Sequence, residues 1–274
     1  LFFTFNNRCN IMSTYITWIQ YVITVKMLLM CLTILTTDSY RVKRIIGGVD
    51  VDCGSQIRVV SLRADSSRHL CGAVLVTKDI ALTAAHCVQT PCKYVLQLSN
   101  LCDDSRQASV LEVIKHSDYD KYTRAHDIAL LRIHLDMHNI SWSDDNILPN
   151  TSFGLSGECI AYGYGSTDSN TEILPDRLKA AKLKIISLDE CTDILGLYLA
   201  PRFDYGMLCA LGNGEDTCQG DSGGPLMCAG KLQGISSYGL SCAVPTVPGV
   251  YTSIGMHLPW IYHTMEIITK RTTA

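Results

Sequence analysis

The chain lacks a strong charge of either sign. Its 23 Lys and Arg stand against 26 Asp and Glu, a formal net charge of −3. A basic face for nucleic acid has no support, and no nucleic-acid partner is expected. Proline is scarce, at 8 residues. No Pro-rich linker or internal repeat breaks the chain, which excludes a repeat array. The cysteines form no CxxC pair of the zinc-ribbon kind. "HLDMH" sets His134 and His138 four positions apart, but Leu135 stands where a zinc-protease helix needs Glu. The acidic pair Asp103–Asp104 lacks the spread of oxygen ligands that calcium takes. No metal and no cofactor are expected.

Cysteine, by contrast, is abundant: 13 in 274 residues, two of them (Cys9 and Cys31) ahead of Arg44. An oxidising compartment is their natural home. The N-terminal region agrees. Lys26 followed by "MLLMCLTILTT" has the short charged lead and apolar core of an export signal, with Met12 and Met27 as candidate starts. A signal-anchor that keeps the protein on a membrane is the lesser alternative. The sequons at Asn139 and Asn150 become glycosylation acceptors if the chain is exported.

Beyond residue 44 the apolar runs are short. "IRVVSL", "GAVLVT", "YVLQLS", "SVLEVI", "IALLRI", "ECIAYG" and "LKIISL" have strand length and are rich in Val and Ile. Many short strands separated by turn residues imply an all-β sandwich or barrel pair. "SWSDDN" and "STDSNTE" read as surface loops. One segment differs: "LPWIYHTMEIITK" sets Leu258, Ile261, Met265 and Ile268 at helical spacing, as in a terminal helix docked by one face.

The chemistry concentrates in "DTCQGDSGGP", Asp216 to Pro225. A serine hydroxyl is a poor nucleophile until a base takes its proton. Glycines beside it let the backbone turn tightly, so the amides of Gly220 and Ser222 can converge on an oxyanion. "LTAAHC" supplies a base, His86. "DIALLRI" puts Asp127 at the head of an apolar strand, where a carboxylate is costly to bury without a donor. An imidazole Nδ1–H is such a donor, and the acid in return fixes the tautomer that leaves Nε2 free to accept a proton.

With "IIGG", "LTAAHC", "DIALL", "GDSGGP" and "PGVYT" in this order, the chain from Ile45 to about Thr269 resembles the trypsin-like branch of the chymotrypsin family of serine endopeptidases. The resemblance implies two packed six-stranded antiparallel β-barrels with a C-terminal helix. It implies an export signal and activation propeptide over 1–44, an N-terminal barrel over 45–145 and a C-terminal barrel with the helix over 146–274. His86, Asp127 and Ser222 would form the catalytic triad in the cleft between the barrels. Cleavage of Arg44–Ile45 in "RVKRIIGG" would free an ammonium to pair with Asp221 and order the oxyanion loop.

The resemblance also places Asp216 at the floor of the primary pocket, where it would meet Arg or Lys. Ser237, Tyr238, Gly239 and Gly249 would line that pocket, and Ser237 would support Asp127. Tyr238 and Tyr164 stand where the family usually has Trp. Arg124 falls either on a solvent-facing loop or at the neighbouring subsite, where it would disfavour a second basic residue. The resemblance implies four disulfides, Cys71–Cys87, Cys159–Cys228, Cys191–Cys209 and Cys218–Cys242. Of the three cysteines left over, closeness in sequence suggests a local Cys92–Cys102 pair, with Cys53 odd, either free or joined to another chain. The implied partners are protein or peptide substrates with Arg or Lys before the scissile bond, and protein protease inhibitors. The expected protein is secreted and monomeric. A catalytically silent homologue acting as a binding module is the alternative, against which the retained triad speaks.

Overall fold

A computed structural model describes residues 48–52, 58–64, 68–98, 106–136, 143–150, 157–164, 178–212, 221–240 and 246–273. All of these belong to the unit Val42–Ala274. Among them are thirteen strands: β1 (Val49–Asp50), β2 (Val59–Ala64), β3 (Arg68–Leu75), β4 (Ile80–Thr83), β5 (Tyr94–Gln97), β6 (Gln107–Lys115), β7 (Ala129–Leu135), β8 (Glu158–Gly163), β9 (Lys179–Ile186), β10 (Met207–Gly212), β11 (Pro225–Cys228), β12 (Lys231–Tyr238) and β13 (Gly249–Ser253). Two α-helices join them, α1 (Leu188–Leu195) and α2 (Ile254–Thr273).

The strands close into two antiparallel barrels, as the sequence led us to expect. The first runs β2-β3-β4-β7-β6-β5 and returns to β2. The second runs β8-β9-β10-β13-β12-β11 and returns to β8, with β1 added on the outer edge of β9. Closure matters because it pairs the strand edges that would otherwise lie open. The first barrel fills with Leu62, Ala73, Leu96, Ala108 and Leu131, all fully buried. The second fills with Leu183, Leu208, Leu226 and Tyr251.

A third cluster binds the whole together. Val74, Leu82, Ile128 and Leu130 from the first barrel meet Leu232 and Ile235 from the second. Ile254, Leu258, Ile261 and Ile268 of α2 complete it, with Met265 packed against its border. These are the helical-spacing residues of the C-terminal stretch. Burying each such side chain stabilises by about 1.5–3 kcal/mol, so α2 acts as a clamp across both barrels.

Helix α1 was not foreseen. Its signal is a capping box: Ser187 Oγ accepts from the Glu190 amide at 3.1 Å, and Asp189 and Glu190 occupy the first turn. Three of the implied disulfides are present: Cys71–Cys87, Cys159–Cys228 and Cys191–Cys209. Cys218–Cys242 lies outside the described residues. Cys92 is an exposed free thiol, so the local pair with Cys102 is not formed. Cys53 and Cys102 lie outside the described residues.

Candidate active site

His86 sits on a single 3-10 turn, Ala85–Val88, directly after β4. The Cys71–Cys87 bridge ties that turn to β3. Asp127 precedes β7 and is fully buried. The loop leading to it is sharply bent: Arg124 and His126 both adopt positive φ, at 60° and 52°. That bend turns the Asp127 carboxylate toward the His86 turn.

Both carboxylate oxygens of Asp127 are used. Oδ1 accepts the His86 backbone N–H at 2.8 Å, and Oδ2 accepts from His86 Nδ1 at 2.7 Å. Ser237 Oγ donates to Oδ2 at 2.6 Å. Three donors around the buried carboxylate offset the cost of taking its charge out of water. The arrangement puts the imidazole proton on Nδ1 and leaves Nε2 as the basic nitrogen.

Ser237 owes its aim to an irregularity in the sheet. The β12–β13 register shifts between Ser236 and Tyr238, so Ser237 drops out of the ladder and points into the interior. Thr252 on β13 adds a second tie, its hydroxyl donating to the Asp127 carbonyl at 2.8 Å. The second barrel thus grips the acid carried by the first.

The first barrel grips the serine turn in return. Ser222 is partly exposed, in a turn just before β11. Its carbonyl accepts from the Gly72 amide of β3 at 2.7 Å. Thr83 Oγ1 donates to the Gly72 carbonyl at 2.8 Å. The two backbones lie so close that no side chain fits between them. A Cβ on Gly223, whose φ is +80°, would come within 2.3 Å of that same carbonyl, and one on Gly72 within 2.8 Å of the Gly224 Cα. Only glycine satisfies both the positive φ and the approach.

Asp221, beside Ser222, is buried to 1 % exposure. Its carboxylate lies over Gly163, where a Cβ would come within 1.9 Å of Oδ1. Gly163 therefore makes the space the acid occupies. The next residue, Tyr164, is buried and donates to the Val59 carbonyl at 3.1 Å, another tie between barrels. Tyr238 is partly buried, and its hydroxyl donates to the Leu199 carbonyl at 3.1 Å. Burial, with Tyr205 nearby, pushes its phenol up to about 12, so it stays a neutral donor. Gly249 is buried at the start of β13 and Gly239 is exposed at the end of β12.

The structure brings His86, Asp127 and Ser237 into one hydrogen-bonded group and fixes the turn of Ser222 against β3. Arg44, Ile45, Asp216 and Gly220 lie outside the described residues. What sequence reasoning missed here is Thr252, Gly72 and Thr83, which hold the site from behind. Their signal was weak: each is a small residue inside a strand.

The family model described as Trypsin matches residues 45–261. Trypsin I-P1 of Gallus gallus is 34 % identical over 228 residues, covering 81 % of this chain and 90 % of that protein. Kallikrein-8 of Mus musculus is 38 % identical over 213 residues, covering 73 % and 78 %. Among solved structures, mouse neuropsin, a serine protease expressed in the limbic system of the brain, superposes with a TM-score of 0.68 at 35 % identity. It covers 80 % of this chain and 99 % of that one.

Proposed function

Because the chain belongs to the trypsin family of serine-type endopeptidases, we propose that it is a secreted, monomeric protease held inactive until the Arg44–Ile45 bond is cut. The active form then hydrolyses peptide bonds after Arg or Lys. The observation that carries this reading is the full engagement of the buried Asp127 by His86 and Ser237. An acid held this way orients an imidazole.

In the proposed reaction the Ser222 hydroxyl attacks the carbonyl carbon of the scissile bond while His86 Nε2 takes its proton. The amides of Gly220 and Ser222 hold the oxyanion. His86 returns the proton to the leaving amine, and the acyl-enzyme remains on Ser222. Water, activated by His86, then releases the acid product. Asp127 stays ionised throughout and stabilises the imidazolium.

Activation rests on Asp221. The burial of this carboxylate beside the nucleophile favours a cationic partner, and the new α-ammonium of Ile45 is the proposed one. Asp216 at the pocket floor would select Arg and Lys, with Ser237, Tyr238, Gly239 and Gly249 around it. The residues 45–145 and 146–274 are the proposed halves, preceded by an export and activation segment over 1–44. Among the described residues no helix is long and apolar enough to cross a membrane. Nothing favours a catalytically silent role.

The test is cleavage-site profiling of purified protein cut at Arg44, with Ile45 verified as the new terminus. Against a mixed peptide library, cleavage after Arg and Lys is expected, and Asp216→Ser should abolish that preference. Cleavage after other residues, with arginyl and lysyl bonds left intact, would overturn the reading.

A further inference from the structure

Three histidines meet behind the catalytic acid. His116 follows β6, His126 directly precedes Asp127, and His257 lies in the first turn of α2. One ligand nitrogen from each lies within 4.8 Å of the others. The second group of potential metal ligands among the described residues, Cys71, His86 and Cys87, has both sulfurs locked in a disulfide and is no rival.

The geometry of the pair His126–His257 is particular. His126 Nδ1 stands 3.1 Å from His257 Nε2. Two nitrogens each about 2.0–2.1 Å from a tetrahedral zinc ion lie about 3.3 Å apart, so the pair already has nearly the spacing of two ligands. His257 is buried, and its Nδ1 donates to the Ser253 carbonyl at 2.7 Å. That bond fixes the tautomer with a lone pair on Nε2, the outer support usual for a metal-bound imidazole. Gly206 makes room for the ring: a Cβ there would come within 2.4 Å of His257 Cε1.

His116 is the adjustable third member. Its ring stacks on His126 at 4.9 Å between centroids and meets the His257 ring edge-on at 5.2 Å. It is partly exposed, and its Nδ1 accepts one long bond, 3.2 Å, from the Asp118 amide. The Trp260 ring lies tilted against it, 5.0 Å between centroids.

We propose that His116, His126 and His257 form a binding site for a divalent transition-metal ion of the zinc class, with water as the fourth ligand. Three imidazoles select zinc, copper or nickel over calcium and magnesium, which prefer oxygen. Binding moves the His126 proton from Nδ1 to Nε2, so that ring stays neutral. No strand motif announces the site, because its ligands come from positions 116, 126 and 257 and meet only after both barrels and α2 have packed.

Occupancy also reaches the catalytic group, a consequence that rests on Asp127 being the triad acid. His126 is pinned by its amide to the Tyr205 carbonyl at 3.0 Å and by its carbonyl to the Ile128 amide at 2.8 Å. Drawing its ring onto a metal shifts the peptide that sets Asp127, so the bound ion slows the protease.

The experiment uses protein cut at Arg44, chelator-treated and dialysed: calorimetric titration with zinc chloride, beside the absorption spectrum with cobalt. One equivalent of zinc and a tetrahedral cobalt spectrum are expected. His116→Ala, a change at the partly exposed member, should leave metal-free activity intact and weaken zinc binding by about tenfold or more. His257→Gln should abolish it. No binding at a tenfold excess of zinc, or equal binding in wild type and both variants, would overturn the site. Zinc should lower peptide turnover in wild type but not in His116→Ala; tight binding with unchanged turnover would overturn the link to Asp127. A metal-free protein with no activity at all would count against the protease reading alone, since calorimetry still decides the site.

Discussion

The two barrels hold the candidate site by opposite means. The first barrel contributes Asp127, and the second secures it through side chains, Ser237 and Thr252. The second contributes Ser222, and the first secures it through backbone, the Gly72 amide, at a contact only glycines allow. A hydroxyl at the end of a side chain can adjust its reach; two main chains must touch. The acid's grip therefore tolerates graded change, whereas the serine's grip is nearly all-or-none. The site belongs to the seam between barrels and not to either barrel alone.

Changes that attack this asymmetry should rank by how directly they reach the reacting groups. Asp127→Asn keeps the shape and removes the charge, and kcat should fall by about 10⁴-fold, as steady-state kinetics on a peptide ester would measure. A drop below tenfold would strip Asp127 of its role. Gly223→Ala forces a Cβ against the Gly72 carbonyl. The turn must move, and kcat should fall by about 10²-fold, with a lower melting temperature by calorimetry. Ser237→Ala should cost less, because His86 still holds both carboxylate oxygens. Removing a hydrogen bond to a charged group is worth about 1.5–3 kcal/mol, read as stability in urea and as a modest fall in kcat. Thr252→Val loses one neutral bond to a backbone carbonyl, about 1 kcal/mol, with kcat nearly unchanged. If Thr252→Val proved as damaging as Gly223→Ala, the contrast between side-chain and backbone grip would fail. The smallest effect belongs to Arg124, whose guanidinium lies 3.4 Å from the Tyr119 hydroxyl. Arg124→Ala should relax discrimination against a basic residue second from the scissile bond, visible only in library profiling.

Much of this architecture can be read from residue order. Every apolar run singled out beyond residue 44 overlaps a strand, because alternation and β-branching act locally. "LPWIYHTMEIITK" is helical by another local pattern, apolar residues recurring at three- and four-residue steps. The contacts that matter most to the site are illegible. "CGAV" looks like any strand; that Gly72 must be glycine emerges only when Ser222 arrives from 150 residues further along. Ser237 looked like a pocket wall with a second duty, but its inward aim comes from a register shift that no pattern predicts. The histidine cluster is harder still. Burial pushes His257 down to about 4, against the pull of its bond to Ser253, and burial beside His126 lowers His116. Those environments exist only in the packed molecule. Cys92 shows the opposite error: closeness in sequence suggested a partner, and the fold leaves the thiol free.

The central claim is that one serine is made nucleophilic by the His86–Asp127 pair. Its most direct test is a reactive organophosphonate applied to protein cleaved at Arg44, followed by peptide mass spectrometry. The account predicts a single adduct, on Ser222, and none in His86→Ala. An unmodified Ser222 in the cleaved protein, or equal labelling without His86, would contradict it.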